Sequence, residues 1–178
     1  MTPSPPPANS CLPEPAPPPG LHLRVAPLRR QHLDQVLAIE QASFANPWSR
    51  GMFSQELASP VAMDRVALGG PEGEVAAFII LWLAAGEAQV QNLAVALPFR
   101  RQGVGRFLLL SALAEAVGRG ARRCSLEVRA GNRAALALYQ SLGFAPEGVR
   151  PRYYWPEGED AILMGRRLGE TPPGREKS

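Results

Sequence analysis

The chain has 178 residues, 46% of them hydrophobic, and 19 Lys and Arg against 16 Asp and Glu give a net charge of +3. That length buries one sizeable core and argues against a second domain, and the composition is that of a soluble globular protein. The longest apolar run, Val75 to Ala85, is too short to cross a bilayer, and the N-terminus lacks the charged-then-apolar order of a leader. Basic residues occur as scattered pairs (Arg29-Arg30, Arg122-Arg123, Arg166-Arg167) and not as a clustered run interleaved with aromatics. The expectation is a cytoplasmic protein, with no membrane and no direct nucleic-acid partner. Cys11 and Cys124 are isolated, and His22 and His32 lack ligand spacing, so neither a disulfide nor a metal site is expected.

The first 19 residues hold nine prolines; residues 1–20 therefore read as an extended or disordered tail, either passive or a ligand for a proline-reading partner. Alternation over Leu21–Leu28 predicts a strand, and helical spacing through Leu33, Val36, Leu37 and Glu40 predicts a helix over Arg30–Phe44. Asn46-Pro47-Trp48 breaks it, and Ser49 caps a second helix reaching about Ala58. Strands follow at Arg65–Gly69, Val75–Trp82 and Gln89–Ala96, the first two joined by a glycine-rich turn. A helix from Gly103 stops at Gly118-Arg119-Gly120, and Arg123–Arg129 is the next strand. A helix over Asn132–Leu142 and the strands Phe144–Val149 and Asp160–Leu168 complete the domain, with a Tyr153–Gly158 loop between those strands. The order β α α β β β α β α β β implies mixed α/β architecture with helices on both faces of one sheet. The domain is taken as 21–168, with 169–178 a second disordered tail.

The densest signal follows the strand that ends near Val95. Arg100-Arg101-Gln102-Gly103-Val104-Gly105-Arg106 turns directly into Phe107-Leu108-Leu109-Leu110. A strand, a glycine turn and a helix start gather unpaired N–H groups and the positive end of a helix dipole, which suits a phosphate or pyrophosphate. Glycines admit close approach and arginines supply forked donors. The chain's single lysine, Lys177, excludes a Walker A loop, and Leu108 stands where the dinucleotide fingerprint needs its third glycine. A glycine-opened helix with no ligand remains an alternative.

Downstream, the period of two puts Ser125 and Glu127 on the strand face opposite Cys124, Leu126 and Val128. Glu127 is either the partner of a neighbouring arginine or a general base in a cleft, and Cys124 is a core residue. Asn132 is explained by a helix N-cap. Tyr139, seven residues on and so on roughly the same helix face, is either core packing or a general acid above the cleft. A carboxylate base with a phenol acid suits removing a proton from an amine and delivering one to a thiolate.

These pieces resemble the GNAT acetyltransferases. The pattern is Val-x-x-x-x-Arg-x-x-Gly-x-Gly from Val95 to Gly105, Leu126-Glu127-Val128-Arg129-x-x-Asn132, and Ala135-x-x-Leu138-Tyr139-x-x-x-Gly143-Phe144. Asn46-Pro47-Trp48-Ser49, Gly148-x-Arg150-x-x-Tyr153-Tyr154 and Glu159-Asp160-Ala161-x-x-Met164 make it similar, within them, to the bacterial ribosomal-protein alanine N-acetyltransferases. The resemblance implies a mixed central sheet splayed in its middle, with acetyl-CoA lying in the gap as co-substrate and no metal. It implies that Leu93, Ala94 and Val95 hold the pantetheine and thioester. Arg101, Gln102, Gly103, Val104, Gly105 and Arg106 would cradle the pyrophosphate, and Asn132 would touch the CoA arm. Glu127 would be the proton acceptor and Tyr139 the proton donor. The Asn46–Arg50 turn and the Tyr153–Gly158 loop would wall a peptide slot, although Trp48, Tyr153 and Tyr154 could equally cap the core. The implied acceptor is the N-terminal alanine of a small-subunit ribosomal protein, met by a monomer. A lysine side chain, a small-molecule amine, or a non-catalytic acyl-CoA-binding scaffold are the alternatives. One departure is visible: Val95-Ala96-Leu97-Pro98 replaces the family's usual Val-Asp-Pro.

Overall fold

The computed structural model describes Leu12 and residues 15–169. Strand β1 (Arg24–Pro27) leads through a short 3-10 turn into α1 (Leu33–Ser43) and α2 (Arg50–Glu56). A meander of β2 (Arg65–Gly69), β3 (Glu74–Ala84) and β4 (Glu87–Val95) follows, then α3 (Val104–Gly118), β5 (Arg123–Arg129), α4 (Arg133–Ser141) and the hairpin of β6 (Ala145–Tyr154) and β7 (Glu159–Arg167). One open sheet runs in the order β1-β2-β3-β4-β5-β7-β6. All neighbours are antiparallel except β4 and β5.

Both sheet faces are covered, which explains the unbroken apolar run in β3. Ala77, Ile79 and Leu81 point to the α3 side, where Leu108, Leu109, Ala112 and Leu113 pack with Val90, Leu126 and Met164. Phe78 and Ile80 point to the other side, meeting Val36 and Ile39 of α1 and Phe53 of α2. Local chemistry sets the helix starts: the Ser49 hydroxyl accepts the Met52 N–H at 3.3 Å and the Asn132 side chain accepts the Ala135 N–H at 3.1 Å.

The parallel pair decides where a site can be. β4 and β5 are in register only from Glu87↔Arg123 to Val90↔Leu126. Gln91 is an extra residue in β4, since Leu81 pairs with Val90 and Ile80 with Asn92. A bulge bends its strand and increases local twist, so β4 turns away from β5 beyond it. Asn92 to Val95 keep their β3 partners while the β5 side opens. The C-terminal ends of these two strands lead to the N-termini of α3 and α4, so the gap lies where parallel strands conventionally present ligands.

Three of the boundaries that differ from the sequence expectation have a readable cause. β1 is shorter than Leu21–Leu28: its pairing with β2 runs only from Arg24↔Leu68 to Pro27↔Arg65. The Arg30–Phe44 helix begins with a 3-10 turn over Arg30–His32, where the Arg29 N–H donates to His32 Nδ1 at 3.1 Å. β6 runs on to Tyr154 through two irregularities because Tyr154 pairs with Glu159, so part of the expected Tyr153–Gly158 loop is strand. Composition also assigned residues 1–20 to a tail. Yet Leu12 is 8% exposed within the α3-side core, and the Pro18 ring lies against Gly103. Cys11, the rest of the first 14 residues and 170–178 lie outside the described residues.

Candidate active site

The splay holds two adjoining cavities. One, of about 500 Å³, is lined by Leu93, Ala94, Val95, Arg101 and Gly103 to Arg106. The other, of about 480 Å³, is lined by Glu40, Trp48, Gln91, Glu127 and Tyr154. Ser43, Phe44, Leu93, Asn132, Ala135 and Tyr139 line both, so the junction falls where β4, α4 and the end of α1 meet. The sequence-predicted residues therefore gather around one gap, with Gln102 the exception: it is exposed and its side-chain amide donates to Pro98 O at 2.7 Å.

On the first side, Gly103 is the N-cap of α3 with φ +82°, a conformation costly for any residue with a Cβ. Arg101 also has positive φ, +60°, so the turn is wound tightly just before the helix. A Cβ on Gly105 would come within 3.3 Å of Val95 Cγ2, filling the angle between α3 and β4. The glycines keep backbone donors accessible at a helix N-terminus, an arrangement that fits a pyrophosphate. The arginines divide their labour. Arg101 and Arg106 are exposed, and Arg106 donates to the Ser141 hydroxyl at 2.9 Å. Arg100, counted by sequence among the anion-facing group, turns inward instead: Nε donates to Val95 O and Nη2 to the Ser43 hydroxyl, both at 2.9 Å.

On the second side, Glu127 faces Arg150, whose Nε lies 3.1 Å from Oε1. An arginine neighbour was one reading of this residue, and it coexists with placement on the cavity wall. The carboxylate's charge is the largest cause of a raised Tyr153 phenol pKa. Arg129 lies over the Tyr154 ring, 4.2 Å from its centroid, and Arg150 lies 5.5 Å from the Tyr153 ring centroid. Tyr139 is 7% exposed and packs edge-on against Phe144 at 5.8 Å. Burial raises its phenol pKa strongly, further above the neutral range in which any tyrosine is already protonated. Its hydroxyl forms no hydrogen bond among the described residues. Cys124 is fully buried on the opposite strand face, and burial pushes its thiol up to about 12, far from a nucleophile's range.

Sequence reasoning missed two ties. The Asn46 amide donates to Trp155 O at 2.8 Å, joining the α1–α2 turn to the β6–β7 turn across the second cavity. Glu40 is buried on the same wall; an acid on the apolar stripe of α1 was the signal that could have found it. Among the described residues no cluster of three or more His, Cys, Asp and Glu side chains could hold a metal. No helix there is long and apolar enough to cross a membrane.

A glycine-opened helix beside a splayed parallel pair, with an acid and a phenol across the gap, is the arrangement of an acyl-group transferase. The chain belongs to the Acetyltransferase (GNAT) family, whose sequence model matches residues 33–144. It is 38% identical over 142 residues to the [ribosomal protein bS18]-alanine N-acetyltransferase of Escherichia coli strain K12, spanning 79% of this chain and 94% of that one. It is 40% identical over 128 residues to the enzyme of the same name from Salmonella typhimurium, spanning 71% and 84%. Among solved structures, the ribosomal-protein-S18-alanine N-acetyltransferase from Escherichia coli superposes with a TM-score of 0.76 at 34% identity, covering 88% of this chain and 99% of that chain.

Proposed function

We propose that this N-acetyltransferase moves the acetyl group of acetyl-CoA to the α-amine of a protein N-terminus, alanine in a small-subunit ribosomal protein, by direct transfer in a ternary complex. The observation that carries the reading is the pair of cavities meeting at Tyr139 and Leu93, which lets two substrates enter from opposite sides. The names of the relatives support the choice of acceptor.

The backbone donors of the Gly103–Arg106 turn hold the pyrophosphate, assisted by the exposed guanidinium of Arg101. Leu93, Ala94 and Val95, on the part of β4 released from β5, hold the pantetheine arm as an added strand would, and Asn132 borders the same arm. Glu127 accepts the amine proton, directly or through water. The freed amine attacks the thioester carbon, and a backbone N–H near Val95 stabilises the oxyanion. Tyr139, a phenol whose burial raises its pKa further above the neutral range, supplies the proton to the leaving thiolate. Holding both substrates in line provides much of the acceleration, and no covalent enzyme intermediate is needed.

The test is incubation of the full chain with acetyl-CoA and two peptides, one starting with alanine and one with a blocked N-terminus and an internal lysine. Mass spectrometry should find acetate on the first alone. Acetate on the lysine alone moves the acceptor to a side-chain amine; no thiol release with either peptide leaves an acyl-CoA-binding role.

A further inference from the structure

Glu40 sits in the last turns of α1, 1% exposed, on the stripe that otherwise carries Leu33, Val36 and Ile39. Burying a carboxylate there is costly, and burial raises its pKa. No arginine, lysine or histidine pairs with it among the described residues. Two neutral donors hold it instead: the Trp48 backbone N–H reaches Oε1 at 2.9 Å and the Asn92 side-chain amide reaches Oε2 at 2.8 Å. Packing alone would be served better by an aliphatic side chain. What the carboxylate adds is a link between three segments: α1, the Asn46–Ser49 turn, and β4 one residue past the Gln91 bulge. One turn further along α1, Ser43 receives Arg100, which also holds Val95 O, so the helix end is tied to both ends of the open part of β4.

We propose that Glu40 is a positioning residue for the acceptor. It sets the Trp48 wall of the second cavity at a fixed distance from β4, where the thioester lies, and so sets how closely an incoming amine approaches the acetyl carbon. This rests on the acceptor slot proposed above. The residue does not touch the cofactor cradle, which is built from the opposite cavity.

Glu40→Met keeps the volume and removes both acceptors. Glu40→Gln keeps an acceptor for Trp48, and the Asn92 amide can turn over to meet its new N–H group. Asn92→Ala cuts the same tie from β4 without burying a new apolar side chain, and so serves if Glu40→Met folds poorly. Steady-state assays with an Ala-start peptide should show acceptor KM raised by about tenfold in Glu40→Met and in Asn92→Ala, acetyl-CoA KM within about twofold of wild type, and near-wild-type values in Glu40→Gln. Hydrogen exchange of the Trp48 amide, which needs no acceptor at all, should speed up in Glu40→Met while Phe78–Ile80 in β3 stay protected. Unchanged Trp48 exchange in both Glu40→Met and Asn92→Ala overturns the positioning role whether or not the peptide is the true substrate. So does an equal rise in both KM values, or a Glu40→Gln variant as impaired as Glu40→Met.

Discussion

Replacing Tyr139 by phenylalanine deletes one oxygen atom from the junction of the two cavities and separates chemistry from folding. The ring is buried and packs edge-on against Phe144 at 5.8 Å. Phenylalanine keeps that contact and nearly all of the buried area. The hydroxyl forms no hydrogen bond among the described residues, so its loss leaves no partner stranded and removes no net bond energy. The stability change should therefore stay within about 0.5 kcal/mol, a melting shift of roughly 1–2 °C for a domain of this size. Turnover should behave differently, because a positioned proton donor contributes on the order of 10²–10⁴-fold. The readout is thiol release from acetyl-CoA with an Ala-start peptide, beside calorimetric melting of the same preparations. The expected result is a kcat loss of about 10²-fold or more with acetyl-CoA KM nearly unchanged. A kcat loss under about threefold would sink the proton-donor role, and a melting point lowered by more than about 5 °C would mean that the hydroxyl is structural.

Glu127→Gln keeps the shape of the side chain and removes the base; kcat should fall by about 10²-fold or more with acetyl-CoA binding retained, as titration calorimetry would show. Gly103→Val places a β-branched residue at φ +82°, so acetyl-CoA KM should rise by about tenfold or more while acceptor KM holds; a selective acceptor defect would contradict the cradle. Asn132→Ala removes a cap worth about 1 kcal/mol whereas Asn132→Asp keeps it, so only the alanine variant should melt earlier. Asp64 is 5% exposed, and burial is the main cause pushing its carboxyl up from 3.8 to about 7. The folded value exceeds the unfolded one, so its stabilising contribution is whole below pH 3.8 and is lost as pH rises through about 7. Asp64→Asn should therefore melt higher than wild type at pH 8, by on the order of 3 kcal/mol of stability, with the gap closing toward pH 4. A gap that does not narrow on acidification refutes that linkage.

Much of this site is legible in the chain because its parts are local. The turn around Gly103 and Gly105 announces a helix start beside a strand end, and the alternation of Arg123–Arg129 alone separates Glu127 from the buried Cys124. The Asn132 cap lies three residues from its donor. Glu40 was harder: its place on the apolar stripe was visible, but its donors lie eight and 52 residues away. The Asn46–Trp155 tie spans 109 residues, and the arginine beside Glu127 could have been any of several until β6 folded beside β7.

The sequence by itself determined the element order, the faces of each strand and the glycine-opened helix, because periodicity and turn chemistry act over a few residues. Only the tertiary structure decided how far β4 and β5 stay paired. That depends on one extra residue, Gln91, in the β3–β4 hairpin, and on β5, which returns beside β4 only after α3. It also decided that Arg100 serves the fold while Arg101 stays exposed. Two adjacent arginines are alike in sequence, and the backbone turn between them aims one inward and the other toward solvent.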